Sequence, residues 1–271
     1  MPPGFAGRHS SFTLYERQVT QMAASFFMPE RELPADVGFS LYSPAHLMAL
    51  GISLILCLLA PLIYLRLTDR GRRIMLRVLS GLMLIFEVIK ELVLTLMGSM
   101  SVGYLPLHLC SVAMFICLFY ACHPKHDFAG QLLYSIVIPS ALGALFFPDW
   151  TMFPIWHFQS LHSFLHHTLM IQFALCPLFA REFRPGLQHI WKPLVFLCAA
   201  AIPIGIFNIG MHTNYMFLRR PSPGSPLEFL TVFPGNLGYL FGCFMLAASI
   251  LILINFPFSV AEHNAIKKRK M

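Results

Sequence analysis

The sequence predicts an all-α polytopic membrane protein, a bundle of about seven transmembrane helices forming a single integral membrane domain over residues 1–271. Two observations predict it. Asp, Glu, Lys and Arg make up only 11% of the chain, hydrophobic residues make up 57%, and mean hydropathy is +0.68. A soluble domain carries roughly 25% charge, and disorder requires low hydrophobicity with high charge; both classes are excluded. The second observation is a series of apolar stretches, each close to the ~20 residues a helix needs to cross the hydrocarbon.

The first 43 residues are read as an extracytoplasmic segment. They lack the apolar core of a secretory signal behind a basic start. Phe12, Tyr15, Val19, Met22 and Phe26 recur at three- and four-residue steps, one face of an amphipathic helix lying in the outer interface. The bundle follows over residues 44–257. Its first stretch, 44–65, runs from Leu47 to Leu65 without a charge. The second, 74–98, carries Arg77, Glu87, Lys90 and Glu91 and is the least lipid-like. The third, fourth and fifth cover 104–123, 130–148 and 158–180; the sixth, 193–217, contains Pro203 and Asn208; the seventh covers 234–257. The loop from Arg219 to Pro234 is rich in proline and reads as ordered turns. Residues 258–271 form a basic tail.

Orientation follows from Lys and Arg in the connections. Arg66, Arg70, Arg72, Arg73, Lys125, Arg181, Arg184, Lys192, Lys267, Lys268, Arg269 and Lys270 fall on one side. Arg8, Arg17, Arg31, Arg219 and Arg220 fall on the other. The richer side is cytoplasmic, so a cell-membrane protein with N-terminus outside and C-terminus inside is expected. The net charge of +7 therefore reads as topology, and no nucleic-acid partner is expected. The seven cysteines, Cys57, Cys110, Cys117, Cys122, Cys176, Cys198 and Cys243, contain no CxxC pair, which fits neither a disulfide framework nor a thiolate metal site.

Ionisable and amide side chains inside the bilayer are costly and mark functional sites. The second stretch offers Glu87, Glu91 and Thr95 on one helical face, with Lys90 able to pair with Glu87. The third begins Leu105-Pro106-Leu107-His108-Leu109-Cys110; on a regular helix His108 and Cys110 point ~200° apart. The fifth holds His162, His166 and His167, the first two stacked on one face. The sixth ends with Asn208, Met211, His212 and Tyr215 along one stripe, with Asn214 beside it. At 1.5 Å rise per residue, Cys110 lies roughly 9 Å deep, Glu91 13 Å, His167 14 Å, and His212 and Asn208 roughly 8 and 14 Å. Four helices thus bring polar groups to one level in the outer half of a ~30 Å core.

With these motifs in place, the chain resembles the YwaF family of bacterial integral membrane proteins, whose eukaryotic relatives include an acyltransferase acting on ether phospholipids. The resemblance spans roughly residues 40–260. It rests on Leu105–Cys110, on Pro148-Asp149, on a helix-borne histidine at His167, on Asn208, on Asn214-Tyr215-Met216-Phe217-Leu218, and on the loop Pro221 to Pro226. Thr168 stands where the family usually has Gly, and His212 where it often has a small residue, so His166 competes with His167. The resemblance implies Cys110 as nucleophile, His167 or His166 as its base, acyl transfer through a thioester, and a phospholipid or lysophospholipid substrate drawn from the membrane lipids. Asn208 or Asn214 would orient the histidine. His108, Glu87, Lys90, Glu91, His162, His212 and Tyr215 would line the substrate site. This reading requires no cofactor and no metal.

Two other readings stand beside it. The string HSFLHH matches the histidine box of membrane desaturases, but the chain has one such box, and a two-histidine haem site from His108 and His162 is the other metal option. A transporter or sensor with a polar cavity is the third, weakened by the absence of an internal repeat.

Overall fold

The computed structural model describes residues 25–34 and 36–270. The body of the expected interfacial helix, residues 12–24, lies outside the described residues. Among the described residues seven helices follow, each overlapping one of the seven apolar stretches: α1 Pro44–Arg66, α2 Asp69–Leu96, α3 Leu109–Cys122, α4 Asp127–Phe146, α5 Phe158–Phe179, α6 Trp191–Met211 and α7 Gly235–Lys270. No strand occurs among the described residues.

Local chemistry sets the helix starts. Ser43 and Thr68 cap α1 and α2 through their hydroxyls, which accept from the amides of His46 and Gly71. His157 caps α5: its Nδ1 accepts from the Gln159 amide at 3.1 Å, and its Nε2 bonds the Met28 carbonyl at 3.0 Å. The Phe158 amide donates to Phe26, so the segment before α1 is tied to the head of α5. α4 contains one π turn, Leu133–Val137.

α5 is the central helix. It packs on α1, α2, α3 and α4, most extensively on α1. Thr168 joins α5 to α1 through the Ser53 hydroxyl at 2.9 Å, which gives the residue a packing role. At the other end of the bundle Glu182 accepts from Tyr64 of α1 and Tyr120 of α3, at 2.7 and 3.3 Å. α7 is joined to α4 by Gln131, Ser135 and Asn255, all buried and mutually hydrogen-bonded.

The polarity is inverted relative to a water-soluble protein. On α2, Ile74, Val78, Ile85, Val88 and Leu92 are exposed, while Glu87 and Ser80 are buried. On α6, Ile206 and Ile209 are 67% and 69% exposed. Apolar surface on this scale is costly in water and satisfied in lipid. Among the described residues four helices are long and apolar enough to cross a membrane: Pro44–Arg66, Asp127–Phe146, Leu187–Met211 and Gly235–Ala261. α3 is shorter, with 14 residues. α2 and α5 carry the charged and imidazole side chains, and they turn these toward each other.

Candidate functional site

The site is assembled between α2, α5 and the head of α3. Leu105 to His108 lie outside α3: Pro106 resists helical geometry, and His108 takes an extended conformation as the N-cap, leaving the helix to begin at Leu109. Cys110 is therefore the second residue of α3 and not several residues along a helix that includes Pro106. Cys110 occupies the first turn of α3, and His108, extended and outside the helix, is not held at the ~200° separation of a regular helix. No side chain caps this helix. The half-buried Cys110 lies within electrostatic reach of Glu87, Asp149 and Lys90, and beside the Ser111 amide.

Glu87 is the hub. Its Oε1 accepts from Lys90 at 2.7 Å and from the Ser111 hydroxyl at 3.5 Å. Lys90 also pairs with Glu91 at 3.1 Å. The expected Glu87–Lys90 pair is therefore present, and Ser111 extends it to α3.

The histidines of α5 occupy three different settings. His167 is buried, and its Nδ1 is 2.6 Å from the Ser163 carbonyl, which makes Nδ1 the protonated nitrogen. Its Nε2 then carries a lone pair, and it has no partner among the described residues. Trp150 stacks on its ring at 5.4 Å and 10°. Asp149, Glu87 and His108 are within electrostatic reach. His162 and His166 stack with ring centroids 5.6 Å apart. His166 is 3% exposed, with neither ring nitrogen bonded among the described residues. His162 Nε2 is likewise buried without a partner. One ligand atom from each of Glu87, His162 and His166 lies within 4.8 Å of the other two.

The stripe expected along the sixth stretch is not continuous. α6 ends at Met211; His212 turns left-handed (φ 56°), and Tyr215 sits in a separate 3-10 turn folded back on the helix. Asn208 makes this turn. Its Oδ1 accepts from Thr213 and from the Tyr215 amide, both at 2.8 Å, and its Nδ2 donates to the Tyr215 carbonyl at 2.9 Å. Asn214 binds the backbone of Arg219 and Arg220. Both asparagines thus hold the loop, and among the described residues neither bonds a histidine. Tyr215 is the link to the site: its ring packs edge-on against His108 at 4.9 Å, and its hydroxyl donates to Val102. Met216 and Phe217 are left-handed as well, and such strain persists only where surrounding contacts enforce it.

His212 is exposed and stands apart from the α5 histidines. With Thr213, Asn214, Arg219, Arg220 and Asn236 it lines a polar pocket of about 200 Å³. Sequence reasoning had used Arg219 and Arg220 only as topology markers. It also missed Trp150, Ser111 and Ser163, whose roles depend on contacts between helices.

No curated protein and no solved structure shows significant similarity to the chain. A family model does match, over residues 41–255, which takes in α1 to α6, the first part of α7 and every residue of the site. The chain belongs to the TMEM164 family of membrane proteins.

Proposed function

We infer that this protein is a lipid-modifying acyltransferase or acyl hydrolase working in the outer half of the bilayer. The observation that carries the reading is the unpartnered Nε2 of buried His167 on α5, a helix packed against α3, whose first turn holds Cys110. A thiol becomes nucleophilic as the thiolate, and an imidazole with a free lone pair is the base that makes it. His167 Nε2 is such a lone pair, held in that tautomer by Ser163. The first turn of α3, uncapped by any side chain, supplies amide N–H groups and the positive end of the helix dipole. The likeness of Leu105–Cys110 to the YwaF pattern supports the same assignment.

In this reading His167 takes the Cys110 proton and the thiolate attacks the carbonyl of a phospholipid ester. The tetrahedral oxyanion collapses to a thioester, and His167 returns the proton to the departing lysolipid oxygen. A second lysolipid hydroxyl or water, deprotonated by His167, then takes the acyl group and restores the thiol. The phosphate of a headgroup suits the pocket lined by Arg219 and Arg220, since arginine pairs with phosphate through paired N–H donors. The N-terminus faces outward and the C-terminus the cytoplasm, as the Lys and Arg bias requires, with all seven helices spanning.

Intact-mass spectrometry of the purified protein tests this. A hydroxylamine-labile acyl adduct on Cys110, absent from Cys110→Ala, is expected, together with loss of acyl transfer in Cys110→Ser and His167→Ala. Full activity in both variants would sink the mechanism.

A further inference from the structure

We propose that Glu87, His162 and His166 bind one divalent transition-metal ion, Zn²⁺ or Fe²⁺. Two observations carry this independently of the acyl-transfer reading. The first is geometric. His162 and His166 are four residues apart on one face of α5, and Glu87 meets them from α2. Two imidazoles and a carboxylate leave open positions on the ion, the ligand set of catalytic zinc and of non-haem iron(II). Ligands about 2.1 Å from a tetrahedral ion lie ~3.4 Å from one another. Atoms already within 4.8 Å need only rotamer-scale closure.

The second observation is the unmet bonding demand. His166 is 3% exposed, and both of its ring nitrogens are buried without a partner, as is Nε2 of His162. A buried polar atom without a hydrogen bond costs about 1–3 kcal/mol, and one nitrogen of each histidine lies within 4.8 Å of a Glu87 oxygen. A metal ion satisfies two directly. His162 is also within bonding reach of the Phe86 backbone, the kind of outer contact that orients a ligating imidazole. Glu87 keeps its role toward Lys90 and Ser111, because both use Oε1 and Oε2 is left to bind the ion. Charge agrees as well. With neutral histidines, Glu87, Glu91 and Lys90 sum to one negative charge in an apolar setting, which a cation offsets.

The test is metal analysis of the full chain in detergent. Protein is purified without chelator, loaded separately with Zn²⁺ or with Fe²⁺ under anaerobic conditions, and desalted. Elemental analysis should find about one ion per chain with at least one metal, retained in Cys110→Ser and reduced at least about tenfold in His166→Ala and Glu87→Gln. Co²⁺ loading of the wild type should give the visible ligand-field bands of a four- or five-coordinate site, a readout that holds even if a variant fails to fold. Wild-type protein with no bound Zn²⁺, Fe²⁺ or Co²⁺, or a folded His166→Ala that binds as well as wild type, overturns the proposal. Metal retained while the Cys110 adduct is absent would fault the acyl-transfer reading alone.

Discussion

Replacing Asn208 with Ala should destabilise the protein without touching any histidine. Asn208 is fully buried and makes three side-chain hydrogen bonds, at 2.8, 2.8 and 2.9 Å, to Thr213 and to both backbone groups of Tyr215. At about 1 kcal/mol net per bond the loss is ~3 kcal/mol. At the ~0.6 kcal/mol average measured inside membranes it is ~2 kcal/mol. With about 2–4 °C per kcal/mol for a chain of this size, the melting temperature should fall by roughly 4–12 °C. Thermal unfolding of purified protein in detergent, followed by tryptophan fluorescence, reads this directly. Asn208→Asp should be damaged too, since it sets a second acceptor against the Tyr215 carbonyl. Because Tyr215 packs on His108, accessibility of Cys110 to a maleimide should rise in both variants. An unchanged melting temperature in Asn208→Ala would refute the assignment of this residue to the loop.

Two further outcomes are expected. Gly130→Ala should cost about 1–2 kcal/mol despite the better helix propensity of alanine, because the added Cβ would stand 2.5 Å from Cγ of Phe183; a stabilised variant in the same melting assay would contradict the packing. His157, ahead of α5, is pushed below the ordinary imidazole pKa by burial, partly offset by the Met28 carbonyl. Its cap needs the neutral form, with Nδ1 as acceptor. Protons therefore bind the unfolded state more readily. This contribution is fully present above about pH 6.5 and is lost as pH falls below it toward the folded pKa. His157→Asn, which caps without titrating, should melt with a shallower dependence between neutral and acidic pH; parallel curves would refute it.

The helices were legible because each demands a long apolar run, and even α2, with eight charged residues, kept its periodicity. The site was legible as a list and not as a geometry. That Glu87, Lys90 and the α5 histidines mattered followed from the cost of charge in lipid. That Glu87 faces His162 and His166 depends on the register between α2 and α5, which the one-dimensional pattern does not encode. The bonding of Asn208 and Asn214 was not legible for a related reason. Their polarity was visible, but a left-handed turn at His212 (φ 56°) redirected the chain so that their side chains meet its backbone. The apolar run across Pro106 hid that α3 starts only at Leu109.

The π turn of α4 gives that helix two addresses. An inserted residue advances the helical phase by about 100°. Gln131 and Ser135 are thereby aimed at Asn255 of α7, while Ala141 and Leu145 settle into the core beyond the turn. Deleting one residue from Leu133–Val137 would restore ordinary winding and swing one half of α4 out of phase with the other. Chain length at this point, more than the identity of any side chain, governs whether α4 can serve both neighbours at once.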